Sequence, residues 1–256
     1  MPCGGWAMPS RLRAQWAGSP TASSAGPISR SPATLPVNSE HAVIEREGLY
    51  RALAAHPTQW MDAMPGRTNH LEAGVLVPLV WTPNLCVLMT LRSQNLRDHP
   101  GEVCFPGGSR EPGDDDLCAT ALRESLEEIG IDEAQVLGQL SSIPLYTSDF
   151  RLVPFAAEVP HRPYRPCSDE VAEVLTVSVA KYLGLHHIDA LPFTAHGVTA
   201  LSPIFNIEGH VVYGATAHVF LELLEIVARE WNWQVPPLQE GRYHWDEILP
   251  NHPPPS

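Results

Sequence analysis

The spacing of apolar and polar residues changes along the chain, and each change marks an element. Residues 40–56 set Val43, Ile44, Leu49, Leu53 and Ala54 at helical intervals and predict an amphipathic helix. Residues 74–80 and 85–92 are apolar runs of strand length on either side of Thr82-Pro83-Asn84, so two strands joined by a turn are expected. Residues 101–105 read as a short strand that runs into Pro106-Gly107-Gly108. Helical spacing returns over 117–129, with Leu122, Leu126 and Ile129 as an apolar stripe. Asp114, Asp115 and Asp116 supply N-cap and first-turn acids, and Gly130 supplies the stop. Strands are expected at 135–143, 151–159 and 170–177, and a short helix at 178–183. A hairpin is expected from 202–206 and 210–213 across Glu208-Gly209. A long amphipathic helix over 215–231 closes the series, with Val219, Phe220, Leu223, Leu224 and Val227 as its core stripe. Mixed strands interrupted by one helix and closed by another fit an α/β/α sandwich around a mixed β-sheet.

The polar face of the 117–129 helix changes the picture from fold to chemistry. Glu124, Glu127 and Glu128 stand at i, i+3 and i+4 and share one face. Like charges at those positions repel, so stability alone does not select them. An acidic face is often only a solvated surface. Here it follows a strand and a glycine turn, and a hard divalent cation held by carboxylate oxygens would account for it.

This stretch resembles the Nudix box, G-x5-E-x7-R-E-U-x-E-E-x-G-U with U a bulky aliphatic residue. Arg123, Glu124, Glu127, Glu128, Gly130 and Ile131 match, and Asp115 takes the acid position before the arginine. The interval from Gly108 to Asp115 is one residue longer than that pattern, and Ser125 stands where an aliphatic is expected. Just upstream, Thr90, Arg92, Arg97, Gly101, Phe105, Pro106, Gly107 and Gly108 resemble the signature of the coenzyme A pyrophosphatase branch, L-L-T-x-R-x4-R-x3-G-x3-F-P-G-G. That branch commonly has the longer interval and a small residue at the Ser125 position. Gly209-His210-Val211-Val212-Tyr213-Gly214-Ala215-Thr216-Ala217 is similar to its C-terminal Gly-x3-Trp-Gly-x-Thr-Ala pattern, with Tyr for Trp.

The resemblance implies a Nudix-type fold and metal-dependent hydrolysis of the diphosphate bond of coenzyme A or acyl-CoA, to 3′,5′-ADP and 4′-phosphopantetheine or its acylated form. It implies Mg2+ or Mn2+ on Glu124 and Glu128, with Glu127 direct or through water, and Gly108 at the loop as a backbone ligand or a point of close approach. Arg123 would pair with Asp115 and hold the helix. Arg92, Arg97, Gly107 and Gly108 would meet the substrate, and Glu170 or Glu173 are later candidates for the general base. Two alternatives stay open: a general nucleoside diphosphate-X or dinucleotide hydrolase, and a catalytically silent Nudix module that senses a ligand.

Charge supports the place of the arginines. The chain carries a net −13, and Arg92 and Arg97 are the only Arg or Lys between Arg67 and Arg110. A polyphosphate would be repelled without such cations, and guanidinium forks grip phosphate oxygens bidentately. The acidic balance disfavours nucleic acid as a partner, so the expected partner is a small-molecule substrate; a homodimer is compatible with the sequence. No apolar run has the length of a membrane span. Five scattered cysteines without a Cys-x-x-Cys pair suggest a reducing compartment and speak against a zinc site.

Composition divides the chain into three. Residues 1–39 hold no Asp or Glu, carry Arg11, Arg13 and Arg30, and are rich in Ser, Ala, Pro and Gly, as in a disordered tail or, loosely, an organelle transit peptide. Residues 40–235 form the expected catalytic domain, and 236–256 a Pro-rich end that wraps or dangles. A cytoplasmic location is the expectation, and a mitochondrial one if the first segment is a leader.

Overall fold

The computed structural model describes residues 39–249, with side chains from residue 46 onward. The expectations for residues 1–38 and 250–256, and for the Val43 and Ile44 side chains, lie outside the described residues. Helix α1 (Ser39–Ala54) precedes β1 (Leu71–Trp81) and β2 (Leu85–Arg92). Two short strands follow, β3 (Val103–Cys104) and β4 (Gly107–Ser109), then helix α2 (Leu117–Ile129). Next come β5 (Gln135–Gln139), β6 (Ile143–Pro144), β7 (Phe150–Glu158), β8 (Val171–Ser178) and the short helix α3 (Val179–Leu183). The chain continues through β9 (Ile188–Ala195), β10 (Val198–Ile207), β11 (His210–Val212) and helix α4 (Gly214–Glu230). It ends with β12 (Leu238–Gln239) and the single turn α5 (Trp245–Ile248).

The main sheet runs β3-β2-β1-β7-β5. It is mixed: β1 is parallel to β7 from Leu71↔Phe150 to Leu79↔Glu158 and antiparallel to β2 and β4. Strand alternation explains how β1 can be buried on both sides. Val75, Val77 and Leu79 enter a core shared with Leu49 and Leu53 of α1 and with Val219, Phe220, Leu223, Leu224 and Val227 of α4. Leu76 and Val80 enter a second core with Ala121 and Ile129 of α2. The sheet therefore lies between α2 on one side and α1 with α4 on the other, which is the α/β/α sandwich expected from the sequence. Among the described residues no helix is long and apolar enough to cross a membrane.

Several expectations need correction. The strand anticipated over 135–143 is two strands, because Ser141 leaves the ladder: its N–H and hydroxyl both donate to the Glu222 carboxylate of α4. Strand β9 was not anticipated. Pro192 interrupts its apolar pattern, yet it pairs with Leu201 of β10 at a position where the sheet tolerates a proline. The hairpin turn between these strands is His196-Gly197, both with positive φ, as a two-residue turn requires. The expected Glu208-Gly209 turn has the same geometry. Leu126 does not join the apolar stripe of α2; it is 51% exposed. Ser125 is fully buried instead, with its hydroxyl donating to the Ala121 carbonyl at 2.7 Å.

Candidate active site

Two glycines bring the carboxylate helix onto the sheet. In the register of β1 with β4, Gly74 lies opposite Gly108. A Cβ on Gly74 would fall 2.1 Å from the Leu117 carbonyl oxygen, so α2 can lie this close only over a residue without a side chain. A Cβ on Gly108 would fall 2.5 Å from Glu124 Oε1. Gly107, at φ 154°, sits against the β1 backbone, and its N–H donates to Glu128. Asp116 caps α2 by accepting from Ala119 N–H at 2.8 Å, and Gly130 ends the helix in the left-handed region.

The three box glutamates meet different surroundings. Glu128 is 5% exposed, and its Oε2 has no hydrogen-bond partner. Burial, and then repulsion from Glu124, push its pKa up to about 8; Arg92 opposes that rise and Glu170 adds to it. Glu124 is also raised, first by burial, with Arg123 pulling the other way through a 3.0 Å ion pair. Glu127 turns outward, its side chain 58% exposed, and pairs with Arg123 at 3.1 Å. Among the described residues no three His, Cys, Asp or Glu side chains form a ready-made metal cluster.

Arg123 ties the helix to the loop before it, and its partner differs from the expected one. It pairs with Asp114, Nε to Oδ1 and Nη2 to Oδ2, both at 3.1 Å, rather than with Asp115. Asp114 also accepts from the Glu111 N–H and the Thr120 hydroxyl, each at 2.9 Å, so it sits at the centre of the loop; Arg123 first of all holds its carboxyl far below the usual range. Asp115 is exposed and offers its carbonyl to Arg110.

A cleft of about 1120 Å3 opens over this helix face, lined by Glu124, Glu128, Gly107, Gly108, Arg92 and Glu170 among others. Arg92 has a buried, unpartnered Nε. The segment carrying Glu170 is held beside it: Ser93 N–H donates to the Glu170 carbonyl at 2.8 Å, and Cys167 N–H donates to the Glu128 carbonyl at 2.7 Å. Arg97 is exposed and does not line the cleft, and neither does Glu127 or Glu173.

Sequence reasoning missed a relay on the cleft wall. Tyr213 donates its hydroxyl to Glu102 Oε1 at 3.0 Å, and Glu102 Oε2 pairs with His99 Nδ1 at 3.0 Å. Burial raises the Glu102 pKa, but the His99 and Tyr213 bonds outweigh it and leave it lowered; His99 is raised, first by its bond to Glu102. Glu102 and His99 flank Gly101 within the upstream signature, and Tyr213 is that one Trp-to-Tyr departure, which is the only signal the sequence offered.

Comparison with known proteins places this arrangement. A family model described as the NUDIX domain matches residues 70–196. A protein of Escherichia coli O6:H1 named "Uncharacterized Nudix hydrolase NudL" is 35% identical over 158 residues, 60% of this chain and 82% of the relative. A protein of the same name from Shigella boydii serotype 18 matches to the same extent, 35% over 158 residues with 60% and 82% covered. Among solved structures, a MutT/nudix family protein from Enterococcus faecalis aligns with a TM-score of 0.40 at 12% identity, over 77% of this chain and 76% of that one. The MutT protein from Methanosarcina mazei Go1 aligns with a TM-score of 0.36 at 24% identity, over 45% and 81%.

Proposed function

This chain belongs to the Nudix family of hydrolases, and from that premise we propose that it hydrolyses the diphosphate bond of coenzyme A or an acyl derivative, releasing 3′,5′-ADP and (acyl-)4′-phosphopantetheine. The observation that carries the reading is Glu128. A nearly fully buried carboxylate with one unpartnered oxygen, beside Glu124 and Glu170, is a cluster of acids that Arg92 and the Gly107 N–H compensate only in part. An orphaned buried oxygen in an all-oxygen donor set fits a hard divalent cation, Mg2+ or Mn2+. Glu124 and Glu128 would hold it, with Gly108 through its backbone; Glu127, turned outward and outside the cleft, would reach it only through water. Bound there, a cation would supply positive charge for diphosphate oxygens and a lowered pKa for a water.

The chain's own residues do the rest. Arg92, beside the carboxylates, grips a phosphate oxygen of the substrate. Arg123 fixes α2 to its loop, so Glu124 and Glu128 are held facing the cleft. Glu170 lines the cleft close enough to raise the Glu128 pKa, and accepts the proton of the attacking water; Glu173 lies outside the cleft. The coenzyme A assignment is supported by the signature from Thr90 to Gly108, whose Arg92 enters the cleft.

Turnover of coenzyme A, NADH and ADP-ribose, each with Mg2+ and with Mn2+, tests the reading. Coenzyme A is expected to react fastest. Faster NADH or ADP-ribose hydrolysis would replace it with a general nucleoside diphosphate hydrolase, and no turnover of any of them with a silent module.

Two substitutions probe the architecture. Gly108→Ala drives a methyl group into the Glu124 carboxylate, 2.5 Å from Oε1, and is expected to lower kcat at least tenfold with the fold retained by circular dichroism. Tyr213→Phe keeps the ring and removes one hydrogen bond, worth about 0.5–1.5 kcal/mol. It frees Glu102, whose carbonyl accepts the Arg92 N–H at 2.9 Å, so kcat/KM is expected to fall about two- to tenfold. An unchanged kcat/KM would make the relay ornamental to binding.

A further inference from the structure

The cleft is poor in positive charge for a site that takes a diphosphate. Among the described residues its lining sets Asp98, Glu102, Glu124, Glu128 and Glu170 against one guanidinium, Arg92. Arg97, the second cation expected from the sequence, stands outside. Two imidazoles complete the titratable lining, His99 and His218. Burial pushes the His218 pKa down to about 4, so that ring is neutral. His99 is in the opposite situation. Its side chain is 48% exposed, and its Nδ1 pairs with Glu102 Oε2 at 3.0 Å, which leaves the Nε2 edge of the ring for another partner.

The fold spends energy to hold this ring in place. His99 has a left-handed backbone, φ 55°, a conformation that costs a residue with a side chain and that gathers at functional sites. Gly101, left-handed too, turns the loop back onto β2: its N–H donates to the Arg92 carbonyl at 3.2 Å, and the Arg92 N–H donates to the Glu102 carbonyl at 2.9 Å. Arg92 Nη2 reaches the Asp98 carbonyl at 3.3 Å, which sets the guanidinium beside His99. From the other side the Tyr213 hydroxyl, at the start of α4, fixes Glu102 at 3.0 Å. The bond to Glu102 first of all, and the charge of Asp98, favour protonated His99; burial and Arg92 oppose them, and the balance falls on the protonated side. Arg92 acts on Glu128 as well, so the cleft has an acidic pole of Glu124, Glu128 and Glu170 and a basic pole of Arg92 and His99.

A diphosphate ester has two phosphates to set against two poles. We propose that His99 is a further catalytic residue: with Arg92 it donates, through its Nε2–H, to a non-bridging oxygen of the phosphate that leaves, while the attacked phosphorus faces the carboxylates. As the bridging P–O bond breaks, negative charge grows on the leaving phosphate, and a fixed cation offsets it there without reorganisation. Glu102 and Tyr213 are positioning residues that keep the ring oriented and charged. The inference rests on the proposed diphosphate hydrolysis and holds for any diphosphate ester, whatever arm it carries.

The test is the pH dependence of one ratio, kcat/KM of the full-length wild type over that of His99→Asn, on coenzyme A and on ADP-ribose. Asparagine tolerates the left-handed backbone and still donates, but carries no charge. The ratio cancels every pH effect that the two proteins share. It is expected to be about tenfold or more at pH 6 and to approach one at pH 9.5, with a midpoint above 6.5. An NMR titration of the His99 ring is expected to give the same midpoint in wild type and a lower one in Glu102→Gln. His99→Lys, charged across the range, is expected to exceed His99→Asn at both pH values. A ratio that is constant with pH would make His99 a structural residue of its loop, and a ratio near one throughout would make it idle; either overturns the role and leaves the proposed hydrolysis standing. No turnover of any diphosphate ester by wild type would overturn the proposed function. In that event calorimetry of inorganic pyrophosphate in EDTA at pH 6 decides His99 alone: tighter binding by wild type than by His99→Asn supports it, and equal binding overturns it.

Discussion

Replacing Glu128 by glutamine is expected to lower turnover a hundredfold or more and to raise the melting temperature of the metal-free protein. The first effect follows from the loss of one of the two cleft-lining carboxylates that would hold the cation, since each 1.36 kcal/mol of lost transition-state stabilisation is tenfold in rate. The second follows from the sign of the pKa shift. Glu128 titrates near 8 in the fold, against an ordinary value of 4.5. Between those values the folded state binds more protons than the unfolded state, so wild-type stability falls as pH rises through this window. Glutamine has no proton to lose. The stabilisation by Glu128→Gln should therefore be absent near pH 4 and full above about pH 8, with roughly 2–4 °C gained per kcal/mol for a domain of this size. Divalent cation should reverse the order. At a hundred times its dissociation constant a ligand stabilises by about 2.7 kcal/mol, and that gain is expected in wild type and lost in Glu128→Gln. Melting curves in EDTA and in Mg2+ at pH 5 and pH 8 read all of this, and a variant that melts like wild type at pH 8 in EDTA would contradict it.

Arg92→Ala is expected to cost about ten- to a hundredfold in kcat/KM, the worth of a charge-assisted hydrogen bond of roughly 1.5–3 kcal/mol. The side chain lines the cleft, carries an unpartnered buried Nε and opposes the negative charge on Glu128. Arg97, read from the sequence as its equal, is exposed and outside the cleft, so Arg97→Ala should cost much less. Steady-state kinetics of both variants on coenzyme A and its dephospho form would show this. Equal losses for Arg92 and Arg97 would mean that the loop between them closes on the substrate.

The parts of the molecule that sequence made legible are those set by local rules. Helix α2 was bounded by an Asp cap and a left-handed glycine, and α4 by a stripe of five side chains that are all fully buried. The glycines of the box could be read as close-approach points, because a missing side chain is visible in the sequence. What was not legible depends on distance in the chain. Whether Arg123 selects Asp114 or Asp115 depends on a loop conformation held by Glu111 and Thr120. The exposure of Leu126 depends on the angle at which α2 meets β1. Most clearly, Met61, Tyr213 and Ile248 reach one cleft from three remote segments, and no spacing rule connects them.

The most direct test is the identity of the products and their dependence on the carboxylates. Coenzyme A incubated with the protein and Mg2+ is expected to yield 3′,5′-ADP and 4′-phosphopantetheine in equal amounts by chromatography, with neither formed in EDTA or by Glu128→Gln. Release of inorganic phosphate in place of these products, or undiminished product from Glu128→Gln, would contradict the assignment of diphosphate hydrolysis to this site.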